Sequence, residues 1–274
     1  MSKEYYADKD RLSASLCKKL LRSPAHAYKQ LHDPDPPTPQ MEFGKAFHLY
    51  MERGNTDQFL IDKDGKTKIT KGFKALRKEA EEAGKIAILG SEMLQIYNMY
   101  DAISAHKVGG DLLKSITDCE HKVEWDLTLI DGEIVKCKSL IDSILFKEDK
   151  VVISDWKTTS NTSPDELPLQ MYKYGYHIQA AFYIDAIKSI KGDIPVEFYF
   201  VFVEKEAPYG VSVVKCSTGL EEDDWFLKIG KREYLRAAQL WVDCHKTNKW
   251  CGYGDEPIKA TLPGWAINKH KLVK

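Results

Sequence analysis

The chain has 274 residues, 43% of them hydrophobic, with 40 basic and 41 acidic side chains and a net charge of −1. That length allows one large domain or two small ones with a sizeable core. The balanced charge excludes a protein that coats DNA by global basicity, although a local basic groove would suffice for phosphate contacts. No stretch approaches the roughly 18 apolar residues of a membrane helix, and the start Met1-Ser-Lys-Glu-Tyr-Tyr has no apolar signal region. Six cysteines (Cys17, Cys119, Cys137, Cys216, Cys244, Cys251) are scattered without a C-x-x-C pair. The expectation is a soluble, cytoplasmic protein with reduced thiols, no membrane contact and no iron–sulfur cluster.

Helical spacing of Leu16, Leu20 and Leu21 predicts a helix over Leu12 to His32, capped by Ser13 or Ser15 and interrupted at Ser23-Pro24. Asp33 to Pro39 is a proline-rich loop. Met41 to Arg53 reads as a helix with an apolar stripe of Phe43, Phe47, Tyr50 and Met51. Gly54 to Lys71 reads as loop, followed by helices over Phe73 to Ala83 and Ser91 to His106. From Lys122 the period changes to two, with Val123, Trp125, Leu127 and Leu129 alternating with polar residues. Asp131-Gly132 signals a hairpin into a strand over Ile134 to Phe146, and Val151 to Asp155 completes an antiparallel meander. A loop over Thr158 to Leu167 leads to a helix over Pro168 to Ser189. Strands over Val196 to Glu204 and Val211 to Cys216, a helix over Glu221 to Lys246 and a Gly- and Pro-rich tail follow. The pattern is that of an α/β or α+β sheet covered by helices, with no repeat and no linker. It reads as one domain over 1–274, mainly helical over 1–120, with the sheet and a motif helix over 121–216 and a terminal helix and tail over 217–274.

One strand, V-V-I-S-D-W-K, ends in Asp155-x-Lys157, and its alternation puts both charged side chains on one face, roughly 7 Å apart. Asp142 lies thirteen residues upstream with the parity of Leu140, Ile144 and Phe146. A carboxylate on an apolar face is unfavourable unless it is paired or metal-bound. It is read either as a salt bridge to Lys136 or Lys138 or as a ligand. Tyr172, Tyr176, Gln179 and Tyr183 fall at i, i+4, i+7 and i+11 on the following helix. They form either an active-site lining or a buried aromatic stripe, in which Gln179 is the harder residue to place as packing. His48, in G-K-A-F-H-L-Y-M, is either a satisfied core histidine or a ligand.

Taken in order, these pieces resemble the PD-(D/E)XK nuclease superfamily. Within its RecB-like branch they most resemble the exodeoxyribonuclease VIII (RecE) type of phages and prophages. The resemblance runs through Leu12-Ser-Ala-Ser15, Ser23-Pro-Ala-His26 and Phe43-Gly-Lys-Ala-Phe-His48. It continues through Cys137-Lys-Ser-Leu-Ile-Asp142, Asp155-Trp-Lys-Thr-Thr159 and Tyr174-Gly-Tyr-His-Ile-Gln-Ala-Ala-Phe-Tyr183. Leu140 departs from it, because relatives often carry a basic residue there. The resemblance implies a restriction-endonuclease-like mixed central sheet flanked by helices, with an N-terminal helical region. It implies metal ligation by His48, Asp142, Asp155 and the Trp156 carbonyl, catalysis by Lys157, and support of the site by Gln179 and Tyr183. It further implies Mg²⁺, with Mn²⁺ accepted, and degradation of linear duplex DNA from a 5′ end for recombination. A single-strand annealing protein as partner and a ring that encircles DNA complete what it implies. Other readings are a RecB-like repair or CRISPR-associated nuclease, whose iron–sulfur subgroup the scattered cysteines disfavour, and a catalytically silent DNA-binding module.

Overall fold

The computed structural model describes residues 3–216 and 224–271. A short helix α1 (Lys3–Ala7) precedes α2 (Ala14–Arg22) and α3 (Pro24–His32). The break between the last two follows from capping. Ser13 accepts from the Leu16 backbone N–H, Ser23 accepts from that of His26, and Pro24 takes the first helical position, where its missing N–H is harmless. The helix α4 (Pro39–Arg53) begins two residues earlier than the apolar stripe suggests. Thr38 caps it and Pro39 is its first residue, so the proline-rich loop ends at Thr38.

The stretch expected to be loop contains a strand, β1 (Phe59–Asp62). It runs parallel to β2 (Ile86–Leu89) on the far side of α5 (Lys71–Glu82). Four-residue strands are too short to show a period. Next come α6 (Gly90–Ala105) and an unanticipated α7 (Lys107–Lys114). A Cβ at Gly110 would stand 2.4 Å from the Ser104 carbonyl oxygen, so glycine is what lets the two helices meet this closely.

The meander β3 (Asp118–Thr128), β4 (Ile134–Phe146) and β5 (Val151–Thr159) follows, with β3 starting earlier and β5 running longer than the alternation indicates. The predicted helix over Pro168 to Ser189 is two helices, α8 (Leu167–Lys173) and α9 (Tyr176–Lys191). Gly175 separates them in the left-handed region at φ 65°. The chain then forms β6 (Val196–Glu204), β7 (Val211–Cys216), α10 (Trp225–Thr247) and α11 (Gly264–Lys271). The expected helix start at Glu221 lies outside the described residues.

Among the described residues the main sheet has the order β3-β4-β5-β6-β7. Only β5 and β6 are parallel, which requires the crossover through α8 and α9. This is the mixed sheet with flanking helices that the resemblance implies. One face packs on α2, α9 and α10 through Leu16, Leu20, Ile153, Phe182, Phe200 and Tyr234. The other packs on α4 and α6 through Phe47, Met93, Ile96, Val152, Trp156 and Val201. Burial on both faces explains the continuous apolar runs Val151 to Ile153 of β5 and Phe198 to Val203 of β6. Each large side chain so buried contributes about 1.5–3 kcal/mol.

Gly175→Ala is expected to destabilise the protein by about 1–2 kcal/mol, the strain of a left-handed non-glycine residue. The added methyl would also stand 2.9 Å from Lys18 Cδ. A lower urea midpoint at unchanged slope would show this; an unchanged midpoint would show that the α8–α9 break tolerates a Cβ.

Candidate active site

The site forms where β4 and β5 part. Their ladder pairs Ser143 to Phe146 with Val151 to Ser154 and goes no further. Asp142 and Asp155 are the next residues on each strand, so they flank a widening gap. β5 stays paired with β6 up to Thr159. Beyond the split, the Leu12 segment bonds β4 instead, with Leu12 N–H donating to the Lys136 carbonyl (2.9 Å) and Lys138 N–H to the Leu12 carbonyl (2.8 Å). This anchors the start of α2 beside the gap.

Losing the β5 partner also shifts the alternation of β4. Leu140 and Asp142 line a cavity of about 190 Å³ together with Tyr6, His48, Glu52 and Glu120. Ile144 and Phe146 instead pack into the core beneath α9, as does Ile141. The parity shared by Asp142 and Leu140 is therefore present, whereas the parity with Ile144 and Phe146 is not.

His48 reaches from α4, its Nδ1 3.1 Å from Asp142 Oδ2. Neither lysine proposed as a salt-bridge partner of Asp142 pairs with it. Lys138 Nζ donates instead to the carbonyls of Tyr5 and Asp8, and Lys136 side chain is exposed. Burial works against the charge on both groups. Their attraction outweighs it, holding the His48 pKa above the ordinary histidine value and Asp142 below the ordinary carboxylate range. The Lys157 charge and the Trp156 backbone N–H lower the Asp142 pKa further.

On β5, Lys157 Nζ is ion-paired with Asp155 Oδ1, and Gln179 Nε2 on α9 donates to Asp155 Oδ2. Burial and the charge of Asp142 push the Asp155 pKa up to about 6 against the pull of Lys157. For Lys157 burial opposes the charge, but Asp155 and Asp142 outweigh it and raise its pKa above the ordinary lysine value. These two shifts favour a neutral acid and a charged lysine. Because about 6 lies below neutrality, the pair is mainly ionised at pH 7 all the same.

Trp156 sends its indole into the opposite core, leaving its backbone between Asp155 and Lys157. Tyr183 packs in the α9 core, its ring 6.4 Å from that of Phe198. The break at Gly175 removes Tyr172 from the helix face it was expected to share. It is exposed and stacks on His177 at 5.4 Å. Tyr176 remains at the site, with Lys157 Nζ 5.3 Å from its ring centroid.

Two further residues enter from outside the predicted set. Lys18 of α2 stands 5.6 Å from the same Tyr176 ring. Burial and the Lys157 charge push its ammonium down to about 8. A weak signal was present in the sequence, since Lys18 lies one helical turn beyond the buried Ala14. Glu52, one turn beyond His48, is pushed up to about 7 by burial and by Glu120 and Asp142.

Among the described residues no three His, Cys, Asp or Glu side chains converge as a ready-made metal cage. The donor set nonetheless suits a hard divalent cation. Asp142 Oδ2 and Asp155 Oδ1 are buried, and each faces one basic side chain, His48 and Lys157 respectively. Two buried carboxylates whose charges repel across one gap would be relieved by a divalent cation between them. A larger pocket of about 550 Å³, lined by Met171, Tyr172, His177, Trp225 and Phe226, includes none of Asp142, Asp155, Lys157 or Gln179.

Residues 13–257 match a family described as a PDDEXK-like domain of unknown function (DUF3799). The chain belongs to that family, and its mixed sheet flanked by helices is a PDDEXK-like fold. A comparison with curated proteins finds no match. A crystal structure from Eubacterium rectale, provisionally described as an exonuclease, superposes with a TM-score of 0.58 at 15% identity, covering 94% of this chain and 96% of that one. At that identity it supports the fold alone. A second structure, SSO0001, aligns with a TM-score of 0.32 at 13% identity over 77% of this chain and 86% of that one, too weakly to bear on the fold. Among the described residues no helix is long and apolar enough to cross a membrane.

Proposed function

We propose that the chain is a divalent-metal-dependent nuclease that hydrolyses phosphodiester bonds of linear duplex DNA. The observation that carries this is the gap at the ends of β4 and β5. It sets Asp142 with His48 against Asp155 with Lys157 and Gln179, and brings the two buried acids near enough that the charge of Asp142 raises the pKa of Asp155.

Asp142 and Asp155 would hold Mg²⁺ or Mn²⁺, with His48 and the Trp156 carbonyl as further ligands. The imidazole favours tolerance of Mn²⁺. When bound, such an ion neutralises charge on the phosphate and lowers the pKa of water. The protein's own part falls to Lys157. Its raised pKa keeps the ammonium charged, so it orients the attacking water and stabilises the developing negative charge rather than removing a proton. Gln179 fixes the orientation of Asp155 through the hydrogen bond to Oδ2. Tyr183 supports the helix that carries Gln179.

The resemblance to RecE-type enzymes supports the finer reading, which is exonucleolytic digestion from a 5′ end for recombination beside a single-strand annealing protein. Ring assembly around DNA would suit a chain of net charge −1, because processivity would then come from topology. The test is digestion of end-labelled linear duplexes, blocked at one end or the other, with Mg²⁺ and with a chelator. Metal-dependent loss of the 5′-labelled strand, abolished by blocking that end, is expected. Absence of metal-dependent digestion would overturn the nuclease reading, and digestion from the 3′ end would overturn the polarity alone.

A further inference from the structure

We infer that Lys18 is a substrate-binding residue of the same site, its ammonium contacting a backbone phosphate of the bound nucleic acid beside Lys157. The inference rests on the nuclease reading above.

The observation is an unmatched cation. Lys157 has Asp155 as its counter-charge. Lys18 has no carboxylate within ion-pair reach among the described residues, and its recorded contact is with the face of Tyr176, 5.6 Å from the ring centroid. A half-buried ammonium held against a ring, near a second ammonium on the same ring, is unfavourable unless an anion joins it. The Tyr176 ring lies 5.6 Å from the Lys18 amine and 5.3 Å from that of Lys157 and packs against Phe200 at 5.2 Å, so one ring serves as a shared platform for the two lysines.

The fold also holds Lys18 in place. Its helix is fastened to β4 through Leu12 and capped by Ser13. Its aliphatic stem lies against Gly175, where a Cβ would stand 2.9 Å from Cδ. The glycine that breaks the α8–α9 segment thus also admits the Lys18 side chain. An ammonium is a point charge that suits a phosphate oxygen without demanding a fork geometry. The ligand chemistry that completes this corner is a phosphodiester anion, and the gap between β4 and β5 is where the reaction would place one.

The experiment measures affinity for a short linear duplex by fluorescence anisotropy across a salt series, with Ca²⁺ as the supporting cation. Each phosphate contact contributes about 0.9 to the slope of log K against log[salt]. Lys18→Met is expected to flatten the slope by about one contact and to weaken binding several-fold at low salt. Lys18→Arg should keep the slope. An unchanged slope in Lys18→Met overturns the inference. If that variant does not fold, amine labelling of the wild-type protein decides the matter. Lys18 should be protected by the duplex, and equal labelling with and without DNA overturns the assignment. A wild type that neither binds nor digests DNA brings down the nuclease reading itself. Binding and digestion with Lys18 unprotected or dispensable bring down this inference alone.

Discussion

Lys157→Met is expected to lower the rate of duplex digestion by about 10²–10⁴-fold, the range of a positioned charge or proton-transfer group in a transition state. Methionine keeps the length and apolar volume of the stem while removing the ammonium. The loss should fall on the chemical step, so turnover drops more than binding. The structure adds a complication that sharpens the test. Removing Lys157 leaves buried Asp155 without its counter-charge, and burial then pushes the acid further towards neutrality. Part of the loss would therefore come from a weakened cation site, and raising the Mn²⁺ concentration should restore that part but not the rest. Digestion by Lys157→Met at the wild-type rate in saturating Mn²⁺ would refute a catalytic role for this lysine. The same double reading applies to Gln179, whose removal should alter the metal requirement more than the saturated rate, because it reaches the chemistry only through Asp155.

How much of this was legible before the fold is best seen residue by residue. Asp155 and Lys157 could be placed together because strand alternation is a strict geometric rule. Gln179 stood out because a polar amide in an otherwise apolar helix needs a buried partner, and Asp155 is that partner. Asp142 was half legible. Its isolation on an apolar face signalled a role, yet the face itself changes where β4 loses β5, and no pattern within one strand reports where its neighbour departs. Tyr172 was misplaced because one unbroken helix was expected over Pro168 to Ser189, whereas the left-handed Gly175 separates α8 from α9. The parallel pair β1 and β2 stayed hidden for another reason. A four-residue strand has too few residues to show a period, and its pairing spans α5. Lys18 and His48 belong to helices packed on opposite faces of the sheet. Their meeting at one gap is a product of tertiary packing that local spacing does not encode.

Mn²⁺ or Mg²⁺ is expected to raise the melting temperature, and to do so more at pH 8 than at pH 5.5. The sign follows from Asp155. Its ordinary carboxylate pKa in the unfolded chain is about 3.9, whereas in the fold it is pushed up to about 6. As the pH rises through that interval the unfolded chain releases this proton first. Asp155 therefore lowers the stability of the cation-free fold progressively between about pH 4 and 6, and fully above it. A divalent ion needs the ionised acid, so proton and cation compete for it. Above pH 7 the ion meets a charged, buried carboxylate and offsets the cost of its burial. Below pH 6 it must first displace the proton, and its effect shrinks. At a concentration 100 times the dissociation constant the stabilisation is about 2.7 kcal/mol, which corresponds to roughly 5–10 °C for a chain somewhat above 250 residues. Asp142→Asn and Asp155→Asn should abolish the shift. His48→Ala should move it to higher ion concentration while leaving the cation-free protein folded. Should the wild type show no shift with either ion across pH 5.5 to 8, the two acids do not form a cation site.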